Sequence, residues 1–514
     1  MRRIDYLFVC LLSICFFLFR LSVLDNIPAE LFGDVIEHMQ FIVDLKKTGL
    51  DLTHWWGGDG PLHTHFAYLI TSIFGWTYWS MKLTSLIVGM AVAVCVWILT
   101  LNIFKNRAIA YLSLFLCLVS FWNMGQSVSG KAHIYAGLFS CLTVILYMKG
   151  QRFLTGLVIG LGIYSQVTFW GMAAYALFHP LIFLGFAISI AYFLLYSVGA
   201  HGGMLSSESY LGSKMGLSSQ STFEVIANAF LKVCENIQVN FLSLFYRGDI
   251  GFRHNVQGEP HLDIVTFALF MFGAVALLLL PLFKNKIKIS PVLSYKDLLL
   301  YVFLPLGLGQ ATSLLVLSGE SEPNISRMSG AFPFIFVIAA AGAFYLFQII
   351  SKASKAAAYV CLAILLIVST KLNMEKFLLR YPAGLPDGNT PYGRLIAERF
   401  ERMPADYGTY LIDCCWANGG QPEPLAINFV MSNGRSAPFV YPEQFTNKEI
   451  CSLGIRNRDT GIYTMIEANK NYAFASHPDY KINPSDIPCL DIKETEIIEK
   501  NGHRAAKIFL MQGK

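Results

Sequence analysis

Apolar runs long enough, or nearly so, to cross a hydrocarbon layer of about 30 Å recur at 6–24, 80–104, 108–124, 132–148, 262–283, 298–318, 329–350 and 356–372. The stretch 153–199 carries hardly a charge and fits two ordinary crossings or three short ones, with His179-Pro180 as the expected break. Beyond 373 the pattern changes to polar residues with many Pro, Asn and Asp. There the pattern predicts a helix over Gly393–Met403 and strands over Thr409–Cys414, Ile462–Ile466 and Ala505–Leu510. The expected architecture is an α-helical polytopic membrane protein over 1–372, followed by a small α/β domain over 373–514.

Charge placement orients the spans. Arg2 and Arg3, Lys105 and Arg107, Lys149 and Arg152, the group Lys284, Lys286, Lys288 and Lys296, and the pair Lys352 and Lys355 mark cytoplasmic ends. The segments 25–79, 124–131, 200–261 and 319–328, and the tail from 373, then face outward. This alternation needs an odd number of crossings through 153–199. Three short ones give about eleven spans in all, with the N-terminus inside and the C-terminal domain extracytoplasmic. The first apolar run lacks a small-residue cleavage site, so it is expected as a retained span. A bacterial inner membrane is the default location.

Composition agrees. Of the 514 residues, 54% are hydrophobic and 14% charged, against about 25% charged in soluble domains. The net charge of +5 shows no basic stripe, so nucleic acid is not an expected partner. Seven of the 11 cysteines lie before residue 370, mostly in apolar spans. Cys414, Cys415, Cys451 and Cys489 lie in the polar tail, where an extracytoplasmic setting allows one disulfide.

The outward segments carry the candidate chemistry. Asp34 lies in LFGDVIEHMQ, with Glu37 one turn on and on the same helix face. A carboxylate beside a membrane helix suits a general base, its pKa tuned by burial; a solvated helix cap is the plainer alternative. Asp59 is presented by the turn in WWGGDGPLHTH. His54 and His63 are weak candidates for a divalent metal, against the plainer role of interfacial His and Trp. The run Leu62–Phe74 predicts an amphipathic interfacial helix. Lys131 after SVSG, Arg327 in ESEPNISR and Arg253 in FRHNVQGEPHLD are cations suited to neutralising a lipid phosphate as it leaves. Glycine-rich phosphate loops, HExxH and GxSxG are absent from the sequence.

Taken in order, these segments resemble the GT-C glycosyltransferases of the protein O-mannosyltransferase and aminoarabinose-transferase type. LFGDVIEHMQFIVDLKKTGLD resembles the first-loop acidic motif with its helix ending in Gly. GGDGPLHTHFAYLITSIFG resembles the following segment with its interface helix. FLTGLVIGLGIYSQVTFW resembles a Gly-Leu-rich span. YRGDIGFRHNVQGEPHLDIVTFALFMFGA and SGESEPNISRMSGAFPFIFVIAAAG resemble two later outward loops running into spans. The match covers about 1–372. Val35 follows Asp34 where the family often has Glu, and Gly60-Pro61 stands where His-Pro-Pro is often found.

The resemblance implies an inverting transfer of a sugar from a polyprenyl-phosphate donor to an acceptor hydroxyl on a glycan, lipid or protein, outside the membrane. It implies Asp34 as catalytic base, with Arg327 and Lys131 near the donor phosphate. Two other readings fit the hydropathy: a transporter or flippase for a lipid-linked sugar, and an inactive scaffold that binds glycolipid. The first would place its ionisable groups at the bilayer midplane, whereas here they lie in outward loops.

Overall fold

A computed structural model of the chain describes residues 3–28, 60–75, 77–200, 237–249, 254–279, 294–312, 323–383, 393–413, 437–446, 448–458, 460–500 and 503–514, with single positions elsewhere. Among these, four helices are long and apolar enough to cross a membrane: Arg3–Val23, Tyr78–Phe104, Phe332–Ser351 and Lys355–Arg380. A bent pair, Arg107–Val119 and Phe121–Ser127, makes a fifth candidate. Five shorter apolar helices lie among them, and an interrupted helix runs over 295–312.

The stretch 153–199 falls into three pieces: an α-helix Arg152–Ile163, a 3₁₀ helix Val167–Phe178 and an α-helix Pro180–Ala200. The second break falls at His179, extended at φ −162, ahead of Pro180. The first two pieces have 12 residues each, about 18 Å as α-helix and about 24 Å as 3₁₀ helix.

The contacting residues fold into two compact units. The first comprises Met1–Leu24, Leu45–Ile70 and Lys82–Tyr381. Its helices meet where glycines let backbones touch. A Cβ on Gly273 would lie 2.1 Å from the Ile338 carbonyl, and one on Gly342 would lie 2.1 Å from that of Leu269. This pair joins Ile264–Leu279 to Phe332–Ser351 without the hydrophobic drive that water would supply. The expected span 108–124 is not one helix. Ser120, extended at φ −66 and ψ 138, ends one helix and caps the next, its hydroxyl accepting from Asn123 N. The chain bends by 57° there. Residues expected in an outward loop from 124 instead finish the short helix Phe121–Ser127.

The second unit comprises Asp25–Asp44, Thr71–Met81 and Pro382–Lys514. Positions 35, 38, 39, 41 and 42 are helical, and Val35, His38, Met39 and Ile42 are buried. That is the i, i+3, i+4, i+7 stripe of a helix facing a core. Just beyond it, back in the first unit, Gly49 N–H returns to the Leu45 carbonyl at 2.9 Å with φ 83, a glycine C-cap.

In the tail, β1 (Gly408–Ile412), β2 (Phe439–Val440), β5 (Asn471–Ser476), β6 (Leu490–Lys500) and β7 (His503–Gly513) form one sheet in the order β2-β1-β5-β7-β6. β1 runs parallel to β2 and β5, whereas β7 runs antiparallel to β5 and β6. The helix Gly393–Glu401 lays Ile396, Ala397 and Phe400 on one face, against Leu411, Ala473, Ala475 and Ile508. Ile412, Val440, Phe474, Leu490 and Phe509 fill the other. The strand expected over Ile462–Ile466 is shorter: β3 (Ile455–Arg456) and β4 (Tyr463–Thr464) form a separate hairpin. A Cys451–Cys489 disulfide, Cα atoms 5.4 Å apart, closes this side.

Candidate functional site

Asp34, Glu37, Asp59, His54 and Arg253 lie outside the described residues. Lys131, Arg327 and His63 lie within them, all in the first unit, and each sits in a tightly bonded turn or helix start.

The helix carrying His63 runs over Pro61–Phe74, with Pro at its first position and Gly75, φ 94, past its end. Its start is held by the turn that follows Ile163: Gly60 N and Leu62 N donate to the carbonyls of Ser165 and Tyr164, each at 3.0 Å. His63 is fully buried. Its Nε2 donates to the Gly130 carbonyl at 3.0 Å, and its ring stands edge-on to Tyr135, centroids 5.5 Å apart. One ring nitrogen is thus committed to a backbone bond. Among the described residues no three His, Cys, Asp or Glu side chains come together as a metal cage.

Lys131 occupies the turn between Phe121–Ser127 and the helix His133–Met148. Gly130 takes φ 75 there, which favours glycine. The turn is braced at consecutive carbonyls. Gly130 O accepts from His63, and Lys131 O accepts from the Ser85 hydroxyl at 3.0 Å. Lys131 N donates to Ser129 Oγ at 3.2 Å, and Ser129 Oγ donates to Gln126 O at 2.9 Å. Lys131 itself is 1% exposed, a burial that a cation tolerates only with partners.

Arg327 lies in the turn ahead of the helix Phe332–Ser351. Asn324 shapes that turn, its Oδ1 accepting from Ser326 N at 3.1 Å and Arg327 N at 3.2 Å. Asp249, buried, fixes it from another segment by accepting from Ile325 N at 2.9 Å. The amide of Gln126 donates to Ser326 Oγ at 3.0 Å across 200 residues of sequence. The helix that leads into the Lys131 turn is therefore bonded to the Arg327 turn.

A third segment joins them. Residues 241–249 and 254–262 fold back on each other, with His261 N and Leu262 N donating to Ser243 O and Leu244 O. His254, next to Arg253, brings its ring to 5.7 Å from that of His133, two residues after Lys131. His261 is buried beside Trp122, with its Nδ1 3.1 Å from the Ser243 hydroxyl. Burial, aided by the Lys376 charge, holds its imidazole well below its ordinary pKa and so neutral. Glu259 lies 3.7 Å from Lys376 and is paired with Arg380, both on the last long helix.

Sequence reasoning missed Gln126, Ser326, Asn324 and Asp249, which build this cluster without being its charged tips. Asn324 had a signal, an Asn two residues ahead of Ser326 and three ahead of Arg327, the spacing of an Asx turn. Gln126 and Ser326 had none, because nothing local links positions 200 apart.

No protein-family model and no curated protein matches the sequence. Among solved structures, the chain is similar to ArnT from Cupriavidus metallidurans in the apo state, at 12% identity, covering 98% of this chain and 97% of that one, with TM-score 0.43. The same protein bound to undecaprenyl phosphate gives 11% identity, the same coverage and TM-score 0.44. The archaeal oligosaccharyltransferase AglB from Archaeoglobus fulgidus, in complex with an inhibitory peptide and a dolichol-phosphate, gives 14% identity over 90% of this chain and 69% of that one, with TM-score 0.44.

Proposed function

We propose that the chain is a membrane glycosyltransferase that moves a sugar from a polyprenyl-phosphate donor to an acceptor hydroxyl, with inversion, on the extracytoplasmic face. The supporting observation is the convergence of three separate stretches, 126–133, Asp249 with 254–262, and 324–328, in one polar cluster that carries Lys131 and Arg327. A transporter's broken helices and ionisable groups would instead gather at the bilayer midplane. The disulfide in the tail supports an oxidising compartment for residues 373–514.

In this reading Asp34 takes the proton of the acceptor hydroxyl. The oxygen attacks the anomeric carbon as the bond from that carbon to the phosphate oxygen breaks, and polyprenyl phosphate leaves. Lys131 and Arg327, with Arg253, stabilise the negative charge that grows on the leaving phosphate. Glu37 and Asp59 support the base or orient the acceptor. A sugar held in line with the acceptor oxygen gains further from positioning alone.

The test is to supply membranes containing the protein with a polyprenyl-phosphate-linked sugar and an acceptor extract. A transferase consumes the donor and releases polyprenyl phosphate. Donor moved across the bilayer intact would point to a flippase, and donor left untouched to a scaffold; either result would overturn the proposal.

A further inference from the structure

The short helix Phe121–Ser127 is bonded to four other parts of the first unit. Phe121 N donates to Asn373 Oδ1 at 2.7 Å, and Asn123 Nδ2 donates to Gly89 O at 3.2 Å. Ser127 Oγ accepts from Arg20 at 2.9 Å, and Gln126 Nε2 donates to Ser326 Oγ at 3.0 Å. Gln126 reaches both cationic turns. Its backbone carbonyl takes the Ser129 hydroxyl that in turn receives Lys131 N, and its side chain takes the serine next to Arg327. Gln126, Ser326 and Ser129 are all nearly fully buried, where a lost partner is costly.

We infer that Gln126 is a positioning residue for the donor headgroup: its bond to Ser326 sets the spacing between Lys131 and Arg327, so that both cations meet one phosphate. The inference rests on the reading of those two residues as phosphate-binding. Charge–phosphate pairing depends on geometry as well as charge. Two cations on separate turns hold one anion only if the turns stay in register. The amide needs no charge of its own for this. Asp249, through Ile325 N, fixes the far side of the Arg327 turn, while Gln126 ties that turn to the helix that leads into the Lys131 turn.

The experiment measures binding of undecaprenyl phosphate and of neutral undecaprenol to the full-length protein in nanodiscs, for wild type, Gln126→Ala, Ser326→Ala, the double variant, and Lys131→Ala with Arg327→Ala. The wild type is expected to prefer the phosphate. Each single change should cut that preference about five-fold, the worth of one buried hydrogen bond, and leave undecaprenol binding unchanged. The double variant should cut it no further, because both changes remove the same bond. Ser326→Ala removes little volume and covers the case in which Gln126→Ala fails to fold. A preference intact in both single variants but lost without Lys131 and Arg327 overturns the inference and leaves the proposed function standing. Equal weakening of both lipids marks a general structural role and also overturns it. A wild type that does not prefer the phosphate overturns the reading beneath it.

Discussion

Arg20, in the first membrane helix, donates through Nη2 to the carbonyl of Leu118 at 2.7 Å. That carbonyl is one of the last of its helix, which ends at the Ser120 bend and leaves such groups without intrahelical donors. Inside a bilayer each unsatisfied backbone group costs several kcal/mol, so the guanidinium makes the bend tolerable. It also donates to Ser127 beyond the bend, bridging the two halves. Arg20→Met should lower stability by about 2–3 kcal/mol, and Arg20→Lys, which can keep one bond, by less. Thermal unfolding of the purified protein in detergent reads both; equal midpoints for Arg20→Met and wild type would show that the bend holds itself.

The Gly273–Gly342 contact predicts a steep size limit. A methyl on Gly342 would sit 2.1 Å from the Leu269 carbonyl and 2.8 Å from Gly273 N, all backbone and unable to move aside. Gly342→Ala should cost about 1–3 kcal/mol from overpacking, and Gly342→Leu should abolish the monodisperse protein. Gly307, where a Cβ would meet nothing within 4 Å, is the matched control. Size-exclusion profiles of the three variants test the contrast.

His261 ties stability to pH. Its folded pKa is depressed, by burial first and by the Lys376 charge second, below an unfolded value of about 6.5. Between the two values the unfolded chain holds more protons. The contribution is therefore fully present above about pH 6.5 and is lost as pH falls below it. The groups facing the ring are Trp122, Ser243 and Lys376. His261→Asn should flatten the acid limb of the melting-temperature profile. Parallel profiles for the variant and wild type between pH 5 and 7 would contradict this.

Much of the architecture was legible because it follows from periodicity. The break at His179-Pro180 and the helix from Gly393 both announce themselves locally. Ser120 did not, because one serine in an apolar run changes no period. β5 was missed because Tyr472 to Ser476 are buried on both faces. Its alternation is large against small, Tyr472 and Phe474 against Ala473 and Ala475, rather than polar against apolar. The charged tips Lys131 and Arg327 stood out by type and place. The buried polar residues that bond their turns did not, because side chains such as Gln126 and Ser326 acquire meaning only through partners far away in sequence.

The Cys451–Cys489 bridge closes a separation of 38 residues. Loop-closure entropy then makes it worth about 3–4 kcal/mol to the tail domain. Cys451→Ser should lower the tail's thermal midpoint under non-reducing conditions and have no added effect once reductant is present. A wild-type midpoint indifferent to reductant would show that the sheet carries the domain alone.

The account turns on a base at Asp34. The direct measurement is single-turnover consumption of a polyprenyl-phosphate-linked sugar by purified Asp34→Asn protein, with correct membrane insertion confirmed first. A general base contributes about 10²- to 10⁴-fold to rate, so the variant should slow by at least the lower figure while binding undecaprenyl phosphate as the wild type does. Transfer at the wild-type rate would contradict the assignment.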